Sequence, residues 1–106
     1  MEGAYKLLGI GVLPMVRGQL YLCPTRTRTV IKTITLVNVA GSDVTMNLYL
    51  NAGNPRRIAG MDLKLRAGQY AQDLGEYAIE AGQAFEGDAS RTDAIEYIVS
   101  GIEYHQ

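Results

Sequence analysis

The sequence predicts an all-β protein: a single-domain antiparallel β-sandwich, jelly-roll-like, over residues 1–106, with residues 1–18 as an N-terminal arm or first strand. Three observations predict it. Apolar and polar residues alternate with period two wherever a pattern is visible. No stretch of ten residues carries a helical stripe; the best candidate, "QYAQDLGEYAIEAG", is broken by Gly75 and has no sustained apolar face. Twelve glycines against three prolines are spread along the chain, as tight turns between short elements require.

Taken in order, "LLGIGVLPMV" (7–16) is the longest apolar stretch, too short to span a bilayer and interrupted by glycines and a proline. Only Lys6 precedes it, Glu2 is acidic and no small-x-small cleavage site follows, so it reads as part of the folded domain. "QLYLC" (19–23) is a strand ended by Pro24. "TVIKTITLVNV" (29–39) is rich in β-branched residues that suit a pleated surface. In "VTMNLYL" (44–50), Val44, Met46, Leu48 and Leu50 point one way, and Thr45, Asn47 and Tyr49 the other. With the turn formers of "AGSD" (40–43) between them, these two runs predict a hairpin. "NAGNPRRIAG" (51–60) reads as the longest polar loop, and "MDLKL" (61–65) as a strand.

"LRAGQ" (65–69) and "IEAGQ" (79–83) repeat one unit, a strand residue, a charge, then Ala-Gly. Gly68 and Gly82 are the structural turn residues, able to take a positive φ that a β-carbon resists, with Leu65 and Ile79 the last inward-facing residues before each turn. The two turns bracket one or two strands over 70–80. "IEYIVSGIEY" (95–104) closes the chain with apolar residues on both faces, as a central or interface strand has. Strands spaced by turns in this way suit a sandwich or a small barrel.

The composition, 47% hydrophobic and 20% charged, is that of a globular domain. Cys23 is the only cysteine, which excludes an intramolecular disulfide and a cysteine-clustered zinc site. The net charge of −1 hides an asymmetry. Residues 1–66 hold nine of the ten Lys/Arg and three acids, a balance of +6; residues 67–106 hold Arg91 against eight acids, a balance of −7. Either strands from the two halves interleave and the charges mix, or the molecule has two charged sides suited to packing on copies of itself.

Candidate chemistry is sparse. His105 is the sole histidine and sits beside the last residue, poorly placed for a Ser-His or Cys-His pair. Cys23 reads as a small buried hydrophobe. The acids of the second half read as solvated strand residues, and "EGDAS" (86–90) lacks the oxygen ladder of a calcium loop. We therefore expect no enzyme, no catalytic residue, no cofactor and no metal. Negative net charge and basic residues without interleaved aromatics argue against nucleic acid. Two features suit subunit contacts instead. Of the adjacent Arg56 and Arg57, one at most belongs to a given surface, where it can pair with an acid of the second half of a neighbouring subunit. Among seven tyrosines, Tyr49, Tyr97 and Tyr104 are the candidates for rings buried between subunits.

The run "VIKTITLVNVAGSDVTMNLYL", then "DLKLRAGQ", "AIEAGQAFEG" and the closing "AIEYIVSGIE", resembles a family of small all-β virion accessory proteins of tailed bacteriophages, over roughly residues 19–103. An Ala-Gly turn expected near 24–27 is replaced by "PTRT". The resemblance implies a non-enzymatic structural component, a capsid decoration or cement protein before a neck, tail or fibre module. A receptor- or carbohydrate-binding module is the alternative from another class. It implies other virion proteins as partners (a major capsid or a neck or tail protein), a homo-oligomer with a trimer favoured, no membrane, and a place in the virion after synthesis in the host bacterial cytoplasm.

Overall fold

The computed structural model describes residues 3–105; Met1, Glu2 and Gln106, at the two ends of the predicted domain, lie outside the described residues. Ten strands follow one another with no helix between them among the described residues: β1 (Gly3–Val12), β2 (Gly18–Leu22), β3 (Thr27–Asn38), β4 (Val44–Asn51), β5 (Pro55–Arg57), β6 (Leu63–Leu65), β7 (Tyr70–Asp73), β8 (Tyr77–Glu80), β9 (Ala84–Ala89) and β10 (Ile95–His105). Sheet A has the order β1-β10-β3-β7, with β8 also on β3; sheet B has the order β2-β9-β4-β5, with β6 also on β4. All pairings are antiparallel. With β5/β6 and β7/β8 each taken as one broken strand, the first strand pairs with the last and the second with the last but one. The third then pairs with the sixth and the fourth with the fifth. That nesting is a long hairpin rolled into two sheets, the jelly roll.

The inward rows of the two sheets meet in one core, filled by Leu13, Ile31, Ile34, Met46, Phe85, Ile95 and Val99, all essentially inaccessible to water. Leu65 and Ile79 belong to it, and Cys23 is buried beside Thr27 and Thr29. A second, polar group lies between the sheets. Glu103 accepts hydrogen bonds from Tyr21 at 2.5 Å and from Lys6 at 3.0 Å, while the Tyr21 hydroxyl also lies 2.7 Å from the Thr29 hydroxyl.

The hairpin expected over 29–50 does not form: β3 and β4 lie in opposite sheets, and the turn between them crosses the sandwich. The residues that favour a tight turn do not dictate whether its arms pair or part. Here Asn38, fully buried, holds the crossing, its amide donating to Ser42 O and Leu65 O at 2.9 Å and accepting from Ala40 N at 2.9 Å. The polar loop over 51–60 is also shorter than expected, because Pro55–Arg57 pairs with Tyr49–Asn51 as β5.

The repeated "Ala-Gly-Gln" is one device used twice. At each site a backbone turn closes four residues, Gln69 N to Arg66 O at 2.9 Å and Gln83 N to Glu80 O at 3.0 Å. The third residue is Gly68 (φ 75°) or Gly82 (φ 84°), the type II arrangement. The glutamine side chain then reaches back to the first residue's N–H, at 2.8 Å in both. Each turn exchanges two backbone hydrogen bonds with a single buried residue, Asn38 in one case and Cys23 in the other. These residues flank β3, so the two turns clasp the central strand at both ends.

Candidate interaction surfaces

The phase of the alternation on β1 decides what sheet A shows to solvent. Its inward positions are Ala4, Lys6, Gly9 and Gly11, and its outward positions are Tyr5, Leu7, Ile10 and Val12. Glycine is required at position 9, where a β-carbon would lie 2.9 Å from Leu20 O, while one at Gly11 would rest in ordinary contact with the Tyr97 ring at 3.4 Å. Leu8, at the bulge, packs against the core, and the outward side chains are left exposed, Tyr5 at 61% and Ile10 at 65%. Across the register Tyr5 stands beside Ile102 and Ile10 beside Ile98, and on β3 Val30 stands beside Ile102 and Val37 beside Glu96. The outcome is an apolar strip on β1 that continues onto Ile98 and Ile102 of β10, with polar residues interspersed on β10 and β3, and a depression of about 250 Å³ bordered by Ile10, Val12, Thr35, Val37, Glu96 and Ile98.

The outer face of sheet B is the opposite in character. Asn47, buried, donates to Asp62 and Asp88 at 3.0 and 2.9 Å and accepts from Asp62 N and from the Arg57 guanidinium. Tyr49 donates to Asp88 at 3.0 Å, and the guanidiniums of Arg57 and Arg17 lie over its ring, 5.1 and 5.7 Å from the centroid. Burial, then the Asp88 carboxylate, raises the Tyr49 phenol above its ordinary range. Glu86 is buried under this layer, accepting from Asn51 at 3.1 Å; its other oxygen is 3.1 Å from Arg17 Nε, outside hydrogen-bond alignment, so charge alone joins them. Apart from that Glu86 oxygen, the network's side chains find their partners within the chain.

The residues expected at subunit contacts are thus scattered. Tyr97 is a correction: it points inward from β10, is 8% exposed and packs beneath Gly9 and Gly11, because the inward phase of β10 runs through Ile95, Tyr97 and Val99. Its phenol is raised by that burial. Tyr104, half-buried, lies on the outer face of sheet A opposite Arg28. Tyr49 and Arg57 lie together on the outer face of sheet B, opposite each other in the register. Arg56 is exposed and donates to Pro55 O at 3.2 Å. Among the described residues neither Arg56 nor Arg57 forms an ion pair with a carboxylate inside the chain. Missing from the sequence-based expectation was the row on β1. Its signal in "GAYKLLGIGV" is masked by the bulge between Leu7 and Gly9, which switches the phase of the alternation and leaves Leu8 packed against the core.

No family model matches the chain, and no curated protein matches it. Among solved structures it is similar to the crystal structure of the Podospora anserina GH26-CBM35 β-(1,4)-mannanase, at 15% identity and a TM-score of 0.40. The match covers 95% of this chain and 27% of that one, so the chain spans about a quarter of the length of that protein. At that similarity neither fold nor function follows from the likeness.

Proposed function

We propose that the chain is a non-enzymatic structural component of a tailed-phage virion, a capsid decoration or cement protein, acting through protein–protein contacts made by the outer face of sheet A. The observation that carries the contact is the outward row on β1, continued by Ile98 and Ile102 on β10. Four large apolar side chains at successive outward positions, Tyr5, Leu7, Ile10 and Val12, stay exposed, and covering them releases water from this edge of the sheet. The virion setting is supported by the strand-and-turn pattern of residues 19–103. The partner that suits this face is an apolar strip on a coat protein. A glycan reading has less support, since the Tyr49 ring that would stack a sugar already has two guanidiniums over it.

The test is co-sedimentation with particles of the source phage grown without this gene. The wild-type protein should pellet with the heads. Ile10→Glu and Ile98→Glu should weaken binding about tenfold or more each, since burying one such side chain is worth about 1.5–3 kcal/mol. Wild-type protein that stays in the supernatant, or variants that pellet as well as wild type, would refute the proposal.

A further inference from the structure

The sandwich has two unlike flanks. On one side β1 and β2 end their sheets, and residues 13–17 join them. That connection is anchored: Leu13 is fully buried and donates from its N–H to Ile95 O, and Pro14 O accepts from Ala89 N, both at 2.8 Å. Between Pro14 and Arg17 it presents Met15 at 59% exposed and Val16 at 80%, the most exposed large apolar side chain among the described residues. On the opposite side the sheets end in broken strands, with gaps between Arg57 and Leu63 and between Asp73 and Tyr77. Among the described residues no strand seals the sandwich there. A cavity of about 280 Å³ opens between the sheets, with Leu36, Met46 and Leu48 at its floor and Ala59, Leu63 and Ala71 as walls. An enclosed apolar cavity of roughly 150 Å³ accepts benzene, so this open one, lined also by Gln72 and Asp73, has the volume for one or two aliphatic side chains.

We propose that the Met15–Val16 loop of one copy seats in the cavity between β6 and β7 of the next. This rests on the assembly reading above and names a second copy as lateral partner. Chemistry and size agree, an anchored apolar knob against an apolar hole. The charges at the rim agree too. Asp73 at the mouth already accepts from Gly75 N at 2.8 Å and Tyr77 at 2.6 Å, and Arg17 beside the loop is paired with Glu86, so docking strands no charge. Because knob and hole lie on opposite flanks, a chain cannot satisfy its own. The contact is heterologous, and it closes into a ring when the rotation allows.

The test uses solution mass by light scattering. Wild type should form a multimer, and Val16→Glu (loop lost, cavity intact) and Ala71→Leu (cavity filled, loop intact) should each have the mass of one chain. Mixed in equal amounts, the two variants should give a dimer and nothing larger, since one intact knob meets one intact hole. Should circular dichroism show Ala71→Leu misfolded, Ala59→Leu takes its place. A monomeric wild type, variants that still assemble, or variants whose mixture stays monomeric would each overturn this inference. The first and third leave the particle contact of sheet A standing, because pelleting with particles reads that contact separately.

Discussion

At the scale of single residues, Glu103 joins three strands. It is 6% exposed on β10 and takes hydrogen bonds from Tyr21 on β2 and Lys6 on β1, with Thr29 of β3 completing the cluster through the Tyr21 hydroxyl. The Tyr21 hydrogen bond first, then Lys6 with a smaller contribution from His105, hold its carboxyl below the ordinary 4.5 despite a counteracting effect of burial. Burial, reinforced by Glu103, keeps the Tyr21 phenol protonated far above its usual range. The sign follows: a carboxyl whose folded value is depressed contributes stability that is full above the unfolded value and lost as pH falls through the folded one. Denaturant unfolding from about pH 7 to about pH 3 should therefore show a decline below 4.5 in wild type. Glu103→Gln, which removes a charge-assisted acceptor, should be less stable by about 2 kcal/mol near neutrality and should show a shallower decline. Parallel curves for the two proteins would mean that another group carries the acid sensitivity.

At the scale of elements, the two Ala-Gly-Gln turns and the bulge at Gly101 put different demands on glycine. At Gly68 and Gly82 open space surrounds the position of a β-carbon, so alanine meets only the cost of a positive φ, about 1–2 kcal/mol. Gly101 lies where β10 shifts register against Lys32 of β3, and a β-carbon there would sit 2.1 Å from Val30 O. Gly101→Ala should therefore cost roughly 3 kcal/mol, clearly more than Gly68→Ala or Gly82→Ala in urea melts. Equal losses at all three would contradict this account. The sequence allowed the turns to be read because glycine after a charged residue and alanine is a local signal. It did not show what the turn arms pair with: both Ala-Gly-Gln turns and the turn at "AGSD" join strands of opposite sheets, and what holds these crossings is tertiary, the buried Asn38 and Cys23. Direction was legible on β4, where polar and apolar residues alternate cleanly, and illegible on β10, where Ile95, Tyr97 and Val99 compete with Ile98 and Ile102 for the inside. On β1 the bulge between Leu7 and Gly9 switches the phase, and Leu20 of β2 comes too close for anything but glycine at position 9, so Ile10 falls on the outward side.

At the scale of the whole molecule, the opposed charges of the two sequence halves are resolved by topology. The jelly roll sets strands of the second half beside strands of the first, and Lys6–Glu103, Arg17–Glu86, Arg28–Glu80 and Lys32–Glu76 each join a base from the first half to an acid from the second. The charges mix, and no side of the fold is left with the +6 or the −7 of the linear sequence. What the fold leaves unsatisfied is apolar: the outer face of sheet A, the Met15–Val16 knob and the cavity on the opposite flank. Association between copies should then withstand salt. Raising sodium chloride from about 0.1 M to about 1 M shortens the screening length from about 10 Å to about 3 Å, enough to abolish an assembly held by surface charge. Contacts made by apolar side chains persist under the same change, and sulfate, excluded from protein surfaces, tightens them. Light scattering at the two sodium chloride concentrations should give the same mass, with sulfate shifting assembly to lower protein concentration. Dissociation at the higher salt would mean that charge holds the copies together, and would return Arg56 and Arg57 to the interface.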